Sequence, residues 1–113
     1  MINCEVRQEV HGFLILDLAI RSLQNDLSTL ETLKMKKFYL GIVEQALKNL
    51  RHDYYNYKRR LAKKGIHIVC WMKVNEYFSD VKIATQGNDT ILRYAKQALK
   101  SQVEQLLLHY MNK

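Results

Sequence analysis

Apolar side chains at Val6, Val10, Phe13, Leu16, Ile20 and Leu23 recur three or four residues apart, the interval that lines them along one side of an α-helix. This predicts a helix over about 3–25. Within it the run FLILDLAI is apolar nearly all round, so that part of the helix should meet neighbours on more than one side. Asp17 interrupts the run four residues before Arg21, the spacing of an intrahelical ion pair. The stretch NDLSTLE then reads as a boundary, because Ser28 and Glu31 have the spacing of a capping box.

A second helical pattern follows through Met35, Tyr39, Ile42, Ala46, Leu50, Tyr54, Tyr57 and Leu61, and stops at Gly65, a residue able to take the left-handed conformation that ends helices. It predicts a helix over about 29–64. Such a rod would be roughly 54 Å long, too long for a small domain to cover, so the pattern calls for a break near Lys36 or Gly41 or for a second subunit.

After Gly65 the period drops to two. Ile66, Ile68, Cys70, Met72 and Val74 would share one strand face, and VKIAT repeats the alternation with Val81, Ile83 and Thr85, so a β-hairpin is expected over about 66–85. Trp71, with His67, Val69 and Lys73, falls on the other face. QGND ends the strand, with Asn88 or Asp89 in the role of helix N-cap. Ile91, Ala95, Ala98, Leu99, Val103, Leu106 and Tyr110 then predict a helix over about 89–111. These elements make one α+β domain over residues 1–113: two long antiparallel helices, a β-hairpin and a C-terminal helix.

Charge changes this picture at one place. The net charge is +7; the segment Lys34 to Lys64 holds ten Lys or Arg against Glu44 and Asp53, while the rest of the chain is nearly neutral. At about 100° per residue, Lys34, Lys37, Lys48, Arg51, Lys58, Arg59 and Lys63 share an arc of about 140° opposite the apolar one, with Tyr55 among them. Tyr54 and Tyr57 turn towards the core. A cationic row meets phosphates of a nucleic acid, and an exposed tyrosine can stack on an unpaired base. The same row would also steer an acidic protein, with Trp71 as an anchor, or would simply solvate an amphipathic helix. A membrane surface is disfavoured, since the apolar arc is needed for packing.

No catalytic, metal or cofactor motif is found. His11, His52, His67 and His109 lack metal-ligand spacing, and the four glycines stand apart rather than in a phosphate-binding loop. Cys4 and Cys70 form no C-x-x-C pair, which fits reduced thiols, with Cys70 read as a small buried side chain. The N-terminal stretch is acidic where a signal peptide is cationic, and the expected location is cytoplasmic. The expectation is a non-enzymatic binding protein for nucleic acid or an acidic protein, most simply a homodimer.

The segments YKRRLAKKGIHIV and LRYAKQALKSQVEQLL resemble small uncharacterised proteins of Gram-positive bacteria and their mobile elements, in which a basic helix ends in Gly before a short sheet and a last helix. The likeness covers the second half of the chain. It implies an accessory regulatory role and assigns no functional residue.

Overall fold

The structure is a computed structural model that describes residues 4–30 and 36–111. Its order is α1 (Cys4–Leu30), α2 (Lys36–Lys63), β1 (His67–Lys73), β2 (Phe78–Ala84), β3 (Asp89–Ala95) and α3 (Lys96–Met111). The class is α+β, with three helices beside a three-stranded antiparallel sheet in the order β1-β2-β3.

Helix α1 continues past the boundary that Ser28 and Glu31 suggest and runs through Leu30; Glu31, Lys34 and Met35 lie outside the described residues. Helix α2 is 28 residues long, about 42 Å, and Gly41 sits inside it rather than breaking it. Its end is a Schellman motif. Ile66 N–H donates to Leu61 C=O and Gly65 N–H to Ala62 C=O, both at 3.0 Å, while Gly65 takes φ +73°. Leu61 and Ile66, the two apolar residues that flank such a cap, are both buried in the same cluster.

The main difference from the sequence expectation lies at residues 89–95. The predicted helix over 89–111 begins only at Lys96; its first part is β3, paired with β2 from Ala84–Asp89 to Phe78–Ala95. The spacing of Ile91 and Ala95 suits a helix, but DTILRYA also alternates. Leu92 is buried while Ile91 is 57% exposed. Strand pairing wins because a lone hairpin is marginal in water, whereas a third strand completes a sheet with a buried face. Asn88 therefore serves a turn and Asp89 opens β3, and neither caps a helix: Thr85 N–H donates to Asn88 C=O at 3.0 Å and Gly87 takes φ +95°. At the other turn, Asn75 Oδ1 accepts from the N–H groups of Tyr77 and Phe78.

A second correction concerns β1. Its pairing with β2 skips Val69, passing from Ile68–Ile83 to Cys70–Lys82. This bulge reverses the alternation, because an inserted residue shifts every later side chain to the opposite face. Ile68 and Trp71 thus both pack against the core, and Cys70, expected to be buried, is exposed.

Two apolar clusters result. Leu16, Ala19, Ile20 and Leu23 of α1 pack with Val43, Ala46, Leu47 and Leu50 of α2 and Tyr110 of α3. Val10, Phe13 and Leu14, one turn earlier on α1, pack with Leu61, Ile66 and the sheet residues Val81, Ile83 and Leu92. Tyr54 and Tyr57 touch both clusters. Residues 13–16 are all buried, as expected of a helix enclosed on more than one side, and each such side chain contributes about 1.5–3 kcal/mol. Asp17 and Arg21 pair at 3.1 Å. At the start of α2, however, Tyr39 and Ile42, expected to face inward, are 42% and 39% exposed.

Candidate nucleic-acid or partner interface

The rotation of α2 about its axis is set by burial of Val43, Ala46, Leu47, Leu50 and Leu61. The opposite side consequently faces outward. Lys37, Lys48, Arg51, Lys58, Arg59 and Lys63 are all exposed, and Tyr55 is 56% exposed; Lys34 lies outside the described residues. From Lys48 to Lys63 the row extends about 22 Å along the axis. Four ion pairs occur among the described residues: Arg21–Asp17, Lys64–Glu9, Lys82–Asp89 and Arg93–Asp80. None uses a cation of this row.

Local contacts within the row are neutral. Arg59 Nη2 donates to Asn56 Oδ1 at 2.5 Å. Tyr55 meets Tyr54 edge to face at 5.4 Å, and Tyr54 in turn stacks on Phe13 at 4.7 Å, so the exposed ring rests on a buried aromatic base. Arg60 leaves the row and lies over the Tyr57 ring at 4.5 Å. Glu44 is also exposed in this arc and places one carboxylate between Lys37 and Lys48.

A groove of about 620 Å³ adjoins the row, bounded by Phe13 and Arg21 of α1, Tyr54 and Lys58 of α2, Ile66, and residues 67–71 of β1. No sequence signal marks it, since it needs three elements to meet. It takes in His67 and Cys70 but leaves out Asp80, whose carboxylate accepts from Arg93 Nε at 2.8 Å; this hydrogen bond pulls the Asp80 pKa below its ordinary value and raises that of Arg93. Trp71 Nε1 is buried and has no hydrogen-bond partner. Elsewhere, Tyr110 O–H donates to Asp53 Oδ2, and burial, reinforced by this carboxylate, pushes the Tyr110 pKa well up. Among the described residues no group of three His, Cys, Asp or Glu is arranged to hold a metal ion, and no helix is long and apolar enough to cross a membrane.

A family model described as YhjD protein matches residues 1–113. The chain belongs to the YhjD protein family. No curated protein and no solved structure matches it. Membership therefore extends over both the α2 row and the β1 groove, and brings no activity or ligand with it.

Proposed function

We propose that this YhjD family member is a non-enzymatic binding protein whose α2 face engages nucleic acid through phosphate contacts. Lys48, Arg51, Tyr55, Lys58 and Arg59 form the centre of that face, flanked by Lys37 and Lys63. The supporting observation is a row of exposed cations on one side of one helix, none of them in an ion pair among the described residues. Cations that contact phosphates hold a strand without reading its sequence, and the Tyr55 ring adds stacking where bases are unpaired. Anisotropy of labelled single- and double-stranded oligonucleotides at low and high salt tests this: binding that weakens steeply with salt is expected, and no binding at low ionic strength removes the proposal.

A second reading, an adaptor or inhibitor for an acidic protein, is favoured by the groove beside Lys58. Retention of a protein from nuclease-treated lysate by the wild-type chain, and its loss on Lys58→Glu, would favour this reading. An accessory regulatory role, an origin among Gram-positive bacteria and their mobile elements, and a cytoplasmic location belong to the same proposal, the last supported by two free cysteines. A homodimer also belongs to it. The shorter α2 weakens the length argument for a second subunit, but the exposed Phe38, Tyr39 and Ile42 offer an apolar surface for one. Sedimentation of wild type against Phe38→Ser distinguishes dimer from monomer.

A further inference from the structure

On either side of the Val69 bulge the side chains of β1 point to opposite faces of the sheet, so a cavity touched by Ile66 and by every residue of β1 from His67 to Trp71 lies against the edge of the strand and not over one face of the sheet. That edge is open. β1 is at the end of the sheet order, with β2 on its other side, and no residue of β2 borders the groove. The hydrogen-bond register shows which backbone groups face outward. Val74 N–H donates to Phe78 C=O across the Lys73–Ser79 pair, which makes that pair a non-hydrogen-bonded one. Alternation then makes Met72–Asp80 hydrogen-bonded and turns the N–H and C=O of Trp71 away from β2, towards the open edge.

The far wall opposite this edge is apolar and aromatic, formed by Phe13, Tyr54 and Leu61. Its charge is positive: Asp17 offsets Arg21, and Lys58 has no carboxylate partner among the described residues. The cationic row of α2 enters the groove through Lys58. We propose that the groove receives an extended peptide segment of a partner protein, which adds a strand to β1 and carries a carboxylate that meets Lys58. Main-chain hydrogen bonds would hold such a segment, while alternate apolar side chains enter the groove. A second copy of β1 is a poorer occupant. Its sequence, HIVCWMK, has no carboxylate and would bring Lys73 and another cationic helix to an already positive rim. This inference does not rest on the nucleic-acid reading.

The test uses the full chain and a short fluorescein-labelled peptide alternating glutamate and valine, with a lysine–valine peptide as control. The glutamate peptide should bind at least tenfold more tightly. Lys58→Glu should weaken it at least fivefold, whereas Lys100→Glu, on the exposed side of α3 and outside the groove, should change it less than twofold. Amide exchange followed by NMR should show the Trp71 backbone N–H exchanging freely in the free protein and slowing at least tenfold when peptide is bound. A nucleic acid held by phosphates on α2 would not slow that amide, so failure of one proposal is separable from failure of the other. Equal binding of both peptides, or unchanged Trp71 exchange at saturation, overturns the inference. So does concentration-dependent protection of Trp71 without peptide, which would assign the edge to a second copy.

Discussion

Gly12 and Gly41 both occupy helix interiors, yet the fold assigns opposite signs to the same substitution. Replacing either with alanine removes backbone freedom from the unfolded chain and should stabilise its helix by about 1 kcal/mol. At Gly41 a Cβ meets nothing within 4 Å, so the gain is expected in full. At Gly12 it would stand 3.0 Å from Tyr57 Cε1 and Oη and 3.1 Å from Cζ, closer than ordinary contact. The ring has little room to retreat: it packs against both apolar clusters and carries the Arg60 guanidinium over its face. Overpacking of this kind costs about 1–3 kcal/mol, which leaves Gly12→Ala with a net loss of about 0–2 kcal/mol. The two variants should therefore differ by about 1–3 kcal/mol. Urea unfolding followed by far-ultraviolet circular dichroism measures this, provided that the slope against denaturant is shared. The Gly12–Tyr57 contact also bears on function, since it helps fix how α2 is rotated and hence which side of it faces outward. If Gly12→Ala proves as stabilising as Gly41→Ala, Tyr57 does not clamp α1 to α2 and that account of the exposed face is wrong.

Leu50 is fully buried between helices, and Leu50→Ala should cost about 2–5 kcal/mol, whereas Ile42→Ala at the exposed start of α2 should cost under about 1 kcal/mol; equal losses in chemical denaturation would contradict the placement of the core. Gly65→Ala should cost at least about 1–2 kcal/mol, because φ is +73° and a Cβ would lie 2.6 Å from Gln86 Cγ; a variant melting at the wild-type temperature would refute the cap. Burial raises the pKa values of Tyr54, Tyr94 and Tyr110. The stability they confer is present below the unfolded tyrosine value of about 10 and is lost as pH rises above it, so the urea midpoint should fall between pH 9 and pH 11, less so in Tyr110→Phe; an unchanged midpoint would contradict this. If Lys48, Arg51, Lys58, Arg59 and Lys63 each neutralise one phosphate of a single strand, log K should fall with log salt at a slope of about −3.5, and Lys48→Ala with Arg51→Ala should reduce it to about −2; equal slopes would remove those two contacts.

The helices were legible because burial on one side leaves a three-to-four residue rhythm, which no later event alters. Asp17 with Arg21, the cap at Gly65, the buried run at residues 13–16 and the outward turn of Lys48, Arg51, Tyr55, Lys58, Arg59 and Lys63 all follow from local spacing. Where two local patterns competed, spacing was not enough. DTILRYA satisfies a short helical interval and also a strand alternation, and only the exposed flank of β2 makes the second worth more. The bulge at Val69 is likewise silent in sequence, because whether a residue is skipped depends on what its partner strand presents.

The candidate sites divide in the same way. The cationic face belongs to one helix, so charge and periodicity along the chain determined it. The β1 groove belongs to α1, α2 and an unpaired strand edge at once, and its Arg21, Lys58 and Trp71 are far apart in sequence. Tertiary packing alone decided it, because hydrogen-bonding groups at an edge become a surface only once the fold has determined which strand goes without a neighbour.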